Sequence, residues 1–161
     1  MDKNIMNYIN ILHGYTTAIK NLHWSSGNMN EHELCDDIAD TICDNEDLIA
    51  EVAQGIYGQI KKNELKPVKY TIETTPKMLN DLLRETETFY GKIKENKKYI
   101  GLRSIVENFL GEINKYQYLI KLCLKEDLKR RIEGNKQVIH LTESDIHRMI
   151  KESVRIMLRK K

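Results

Sequence analysis

The sequence has few of the residues that interrupt helices. It contains two prolines, Pro67 and Pro76, and eight glycines among 161 residues. Proline removes a backbone donor and glycine favours the unfolded chain, so their scarcity favours long helices. A chain of this length suits one domain with a buried core. The composition therefore predicts an all-α fold.

Long apolar runs and paired cysteines are also missing. The N-terminus carries no apolar segment and no run of about twenty apolar residues occurs, so we expect neither secretion nor membrane insertion. The three cysteines are odd in number and none has a Cys-x-x-Cys spacing. Cys35, Cys43 and Cys123 are therefore predicted to be reduced thiols, and the cytosol is the expected compartment.

Basic charge is concentrated near the C-terminus. The net charge of +2 indicates no affinity for nucleic acid by itself. From Lys125 onward, however, 11 Lys and Arg stand against 6 Asp and Glu, whereas the rest of the chain has 15 against 18. The basic excess therefore belongs to the last part of the chain.

Apolar periodicity predicts four helices, which cover residues 2–25, 32–61, a segment starting at 75, and 102–131. Residues 25–28 form the first turn, where Gly27 supplies a permissive backbone and Asn30 is the expected N-cap of the second helix. Two helical hairpins joined by a connector at 61–74 predict a ferritin-like four-helix bundle with one long crossover connection. We assign this bundle to residues 1–133 and a basic tail with an amphipathic helix to residues 134–161.

Two pairs of polar side chains lie on one stripe of the second helix. His32 with Asp36, and Asp47 with Glu51, are each four residues apart, so each pair shares a face. The two pairs are about 16 Å apart along the helix, too far to bind one metal ion together. A second copy of the helix could lie antiparallel to the first, with a twofold axis near residues 40–43. His32 and Asp36 of each copy would then face Asp47 and Glu51 of the other copy.

The apolar residues of this helix lie about 160° around it from the candidate ligands. They are Ile38, Ile42, Ile49, Val52, Ile56 and Ile60. The candidate ligands therefore point away from the core of their own chain, which favours a site between subunits over one inside the bundle. Carboxylates opposite an apolar stripe are also what an ordinary solvated helix face shows, and this second interpretation stays open.

The motif of His23 and Trp24, a short loop with glycine, His-x-x-x-Asp, ten residues, and Asp-x-x-x-Glu resembles the intersubunit ferroxidase signature of the Dps miniferritins. The resemblance covers residues 1–61, and it places His23, His32, Asp36, Asp47 and Glu51 on the metal-ligand positions of the family. This chain differs in a shorter loop before His32 and in a connector too short for the small extra helix of the family.

The resemblance implies that Fe(II) is oxidised by peroxide at a di-iron site between subunits. Ferric iron would then be stored in a closed oligomer built from twofold pairs, with twelve subunits in the usual form of the family. Trp24 would quench oxidising equivalents beside the site. The imidazole and carboxylate ligands also suit Zn(II), Co(II) or Mn(II), so the residues alone do not select the metal.

Two alternative functions stay open, and both depend on the tail. In residues 140–161 the apolar positions Ile146, Ile150 and Val154 form a narrow seam flanked by basic residues, which is typical of a helix that docks into a groove of another protein. The chain would then be a catalytically silent, ferritin-like structural protein. The second alternative is that the tail binds DNA.

The tail also resembles short helical tails of bacteriophage-encoded proteins of gut bacteria, which would place the protein in a phage-infected cell.

Overall fold

The computed structural model of this chain describes residues 1–61 and 63–134 and confirms the all-α prediction. Its four helices are α1 (Lys3–Ser25), α2 (Met29–Tyr57), α3 (Thr75–Ile93) and α4 (Ile100–Gly134), with a short 3-10 turn, Lys97–Tyr99, before α4. In this part of the chain no helix is both long and apolar enough to cross a membrane. The predicted tail lies outside the described residues from residue 135 onward, and so does its docking seam.

The ends of α2 differ from the prediction. Its N-cap is Asn28, whose side chain accepts hydrogen bonds from the backbone N–H groups of Asn30 and Glu31, so the expected cap at Asn30 was wrong. The helix stops at Tyr57 rather than near residue 61, because Gly58 adopts a φ of 86° that side-chain-bearing residues rarely take. Gly27 does not use a positive φ in the turn.

Helices α1 and α2 are antiparallel neighbours, and α3 runs in the same direction as α2. The start of α1 lies beside the end of α3, because the Tyr8 hydroxyl donates to Thr86 at 2.8 Å and the Tyr8 ring stacks on Phe89 with centroids 4.1 Å apart. At the other end, Thr75 at the start of α3 donates to Glu31 in the first turn of α2 at 2.7 Å. Because α2 and α3 follow each other in sequence and run in the same direction, the connector between them must run back along the length of the bundle.

Helix α4 is antiparallel to both α2 and α3. Gln117 donates to Asn80 at 2.8 Å, and the Tyr90 hydroxyl donates to Glu107 at 2.6 Å. The Tyr116 hydroxyl of α4 lies 2.7 Å from the Thr41 hydroxyl of α2. The four helices therefore run up, down, down and up, within a compact unit that spans Met1–Asp127. The predicted domain boundary between residues 133 and 134 stays a prediction.

The connector between α2 and α3 lies along α1. The backbone N–H groups of Lys66 and Val68 donate to the side chain and the carbonyl of Asn10, at 2.6 and 3.1 Å. Further along, the ring of Tyr70 stacks on Tyr15 with centroids 4.2 Å apart. The connector contains no helix in its described residues, which agrees with the prediction that it is too short for an extra helix.

The core fills the space between the four helices with side chains from all of them. In α2 the predicted apolar stripe faces this core, with Ile38, Ile42 and Ile49 buried and Val52 and Ile56 partly buried. Ile60, which the prediction placed on the same stripe, lies beyond the end of α2 and is also partly buried. The opposite side of α2, which carries the candidate ligands, is consequently left outside.

Gly14 is needed where the connector crosses α1. A Cβ added there would collide with the carbonyl oxygen of Val68 and press on the Tyr70 ring. We expect Gly14→Ala to lower the free energy of unfolding by about 1 to 3 kcal/mol, the usual cost of overpacking. Gly111→Ala is the matched control, since it adds a methyl group to an exposed helical site with open space around it. The control should raise stability by up to about 1 kcal/mol. Urea unfolding measures both, and a stabilised Gly14→Ala would contradict this account of the crossover.

Candidate metal centre

His23, His32 and Asp36 meet at the turn between α1 and α2. His23 lies in the last turn of α1, and the capped start of α2 places His32 opposite it. One potential ligand atom from each of the three side chains lies within 4.8 Å of the others. In the part of the chain that the structure describes, no other group of three or more His, Cys, Asp or Glu side chains is close enough to hold one metal ion.

The two imidazole rings are held by each other's backbone. Nδ1 of His23 lies 3.0 Å from the carbonyl oxygen of His32, and Nδ1 of His32 lies 3.0 Å from the carbonyl oxygen of His23. A carbonyl can only accept, so each Nδ1 carries the proton and donates it. Each Nε2 then keeps a free lone pair, as in protein metal sites where the other ring nitrogen donates to a carbonyl.

The rings also contact each other in a tilted arrangement, with centroids 3.7 Å apart and planes 30° from parallel. Side chain and backbone therefore fix both rings in position before any ligand is bound. An oriented imidazole loses little conformational freedom when it binds a metal ion, which favours affinity. The structure thus presents two pre-oriented nitrogen ligands on the surface of one chain.

Asp36 adds a carboxylate one helical turn after His32. Its Oδ1 lies 3.1 Å from Nδ1 of His23, and its side chain is 64% exposed whereas that of His23 is 13% exposed. Two imidazoles and one carboxylate form an incomplete coordination set that suits Fe(II), Zn(II), Co(II) or Mn(II).

Asp47 and Glu51 are not brought to this cluster. Both side chains are exposed on α2, and the eleven residues from Asp36 to Asp47 correspond to about 16 Å along the helix. The candidate ligands therefore form two separate groups, the cluster of His23, His32 and Asp36 and the pair of Asp47 and Glu51, as the helical spacing predicts. We call these groups the half-sites of the predicted metal centre. The 73% exposed Trp24 adjoins His23 in sequence and stands on the surface.

Cys35 precedes Asp36 but belongs to the core. It is buried, its sulfur lies 3.7 Å from the Thr75 hydroxyl, and burial raises the pKa of its thiol to about 11. A metal ion binds the thiolate form, which this environment disfavours. Cys35, Cys43 and Cys123 are all free cysteines in the structure.

Sequence reasoning missed the two carbonyl acceptors that fix the imidazoles. Backbone carbonyls carry no sequence signal, and their position depends on how the turn at residues 26–28 brings the two helices together. The spacing of His23 and His32 does not reveal these hydrogen bonds, because the two residues are nine positions apart and lie on either side of the turn.

Comparisons of the chain with protein-family models, with curated proteins and with solved structures found no match.

The geometry predicts that the cluster binds a divalent metal ion through His32. We expect His32→Gln to weaken Co(II) binding at least about tenfold, because even a group that only orients a ligand is typically worth about 10- to 100-fold. The matched control is His13→Gln, since His13 lies on α1, pairs with Glu46 and stands outside the cluster. Cobalt absorbance titrations would measure both variants. Equal affinity of the His32 variant and the wild type would place the ion elsewhere.

Proposed function

We propose that this chain is a subunit of a Dps-like miniferritin, in which two copies together bind Fe(II) and oxidise it with peroxide. The observation that supports this most strongly is the surface cluster of His23, His32 and Asp36, with two oriented imidazoles and a coordination set that one chain leaves incomplete. Asp47 and Glu51 stand on the same exposed face of α2 and supply the missing carboxylates when a second copy is present.

The register of an antiparallel pair completes both sites at once. If His32 faces the partner's Glu51, the constant helical rise also sets Asp36 opposite the partner's Asp47. The same register puts Thr41 opposite the partner's Ile42, so the twofold axis passes between these positions. A twofold axis makes the two sites identical, and the twofold pair is the commonest symmetric assembly.

The direction of the helices supports the ferritin-like part of the proposal. Helices α2 and α3 run the same way, and the connector that joins them lies along α1 against Asn10 and Tyr15. A single long crossover of this kind distinguishes ferritin-like bundles from bundles with only short loops. The exposed ligand face distinguishes this arrangement from bundles that hold metal in their interior.

In the proposed mechanism Fe(II) is the substrate. The Nε2 atoms of His23 and His32 and the carboxylate of Asp36 bind from one chain, and Asp47 and Glu51 bind from the other. Each peroxide molecule takes one electron from each of two Fe(II) ions and, with two protons, leaves as two water molecules. Carboxylates stabilise the higher charge of the Fe(III) product, which a closed oligomer of such pairs would store. The exposed Trp24, next to His23, would donate electrons to excess oxidant.

Removing the second half-site tests this function. We expect Asp47→Ala combined with Glu51→Ala to reduce peroxide-driven Fe(II) oxidation to the rate of the buffer blank. Every site then loses the two carboxylates that the second chain supplies. Stopped-flow absorbance measures the rate. Glu87→Ala combined with Glu95→Ala is the matched control, since it removes two exposed carboxylates outside α2, and it should leave the rate unchanged.

An unchanged rate in the Asp47 and Glu51 variant would contradict the ferroxidase proposal. It would favour a catalytically silent bundle that acts through residues 134–161.

A further inference from the structure

The exposed face of α2 carries negative charge only. The helix Met29–Tyr57 contains nine Asp and Glu residues and neither Lys nor Arg. Seven of these acids are exposed, and six of the seven lie within an arc of about 80° at 100° per residue. They are Glu33, Asp36, Asp40, Asp44, Asp47 and Glu51, and we call them the acidic stripe.

Half of the acidic stripe has no ligand role in the proposed site. Asp36, Asp47 and Glu51 are assigned to metal binding, whereas Glu33, Asp40 and Asp44 lie among them on the same face. The cluster of His23, His32 and Asp36 lies at one end of the stripe. The stripe and the half-sites are therefore a single surface.

Pairing two copies across this surface brings like charges together. An antiparallel pair would gather the acidic stripes of both chains in one interface, and Asp40 and Asp44 would lie closest to the twofold axis. Charges at such short range are little screened, because the Debye length is about 10 Å at 0.1 M salt. Without a counter-charge, the pair is opposed by its own electrostatics.

We propose that divalent metal binding drives the two chains to pair, an inference that rests on the function proposed above. Each complete site gathers three carboxylates from two chains, and two divalent ions supply more positive charge than these carboxylates carry. The ions thus bridge the chains and offset most of the repulsion in one step. Since the complete site exists only in the pair, metal affinity and pairing affinity are linked.

The linkage has a measurable size. If each of the two sites is exposed to metal at about ten times its dissociation constant, the dissociation constant of the pair should fall about 100-fold. The fraction of paired chains would then rise with the metal concentration, and complete sites would form only when metal is available.

Analytical ultracentrifugation of the full chain tests this inference without any oxidation step. At low ionic strength we expect weak pairing in EDTA or Mg²⁺, and pairing at least about tenfold tighter in Co²⁺. Mg²⁺ is the charge-matched control, because it prefers oxygen ligands and retains its waters rather than binding imidazole. Equal pairing in EDTA and Co²⁺, or equal pairing in Mg²⁺ and Co²⁺, would overturn the inference.

Charge variants separate repulsion from ligand loss. Asp40→Asn combined with Asp44→Asn keeps every proposed ligand and removes four charges from the interface of the pair, so this variant should pair more tightly in EDTA than the wild type. The matched control is Glu87→Gln combined with Glu95→Gln, which removes the same number of exposed charges outside α2 and should not change pairing. Unchanged pairing of the Asp40 and Asp44 variant in EDTA would overturn the electrostatic cause and with it the inference.

The outcomes distinguish this inference from the proposed function. A protein that oxidises Fe(II) but pairs equally well in EDTA and in Co²⁺ overturns the inference alone. A protein that pairs on addition of Co²⁺ but does not accelerate Fe(II) oxidation overturns the ferroxidase function and supports metal-driven pairing.

Discussion

The crossing of the connector over α1 is the constraint on which the bundle depends. Because α2 and α3 run in the same direction, the connector between them must run back along the whole bundle. It does so in contact with Asn10, Gly14 and Tyr15 of α1. Asn10 is buried and satisfies two backbone N–H groups of the connector. A connector without its own helix has few internal hydrogen bonds, so α1 has to supply these partners.

That arrangement decides which side of α2 is left outside. With the buried apolar stripe of α2 in the core, the face that carries the candidate ligands is turned outward, and the turn before α2 sets His23 against His32. The reciprocal bonds between each Nδ1 and the other residue's carbonyl tie the end of α1 to the start of α2. In the neutral imidazole the same bonds leave the Nε2 lone pairs available, so the contact that closes the helical hairpin also orients the two nitrogen ligands of the proposed site.

The charge of α2 is hard to explain by stability alone. Like charges four residues apart, as in Asp36 and Asp40 or Asp40 and Asp44, typically destabilise a helix by about 0.2 to 0.5 kcal/mol per pair. The last turn of α2 also lacks the basic residue that would complement the helix dipole. The extensive burial of Ile38, Ile42 and Ile49 offsets these costs. A helix with this charge would suit the metal-binding surface proposed above.

The sequence by itself determined the four helices and the spacing of the ligands on α2. Helical periodicity is local, so the apolar positions define each helix, and the rise per residue separates Asp36 from Asp47 whatever the rest of the chain does. Only the tertiary structure decided that α2 begins after Asn28 and ends before Gly58. It also decided that the imidazoles of His23 and His32 each donate to the other residue's carbonyl, and that the connector lies against Asn10 and Gly14. These features depend on contacts between residues distant in the chain and on backbone atoms that every residue carries, so side-chain patterns along the sequence could not specify them.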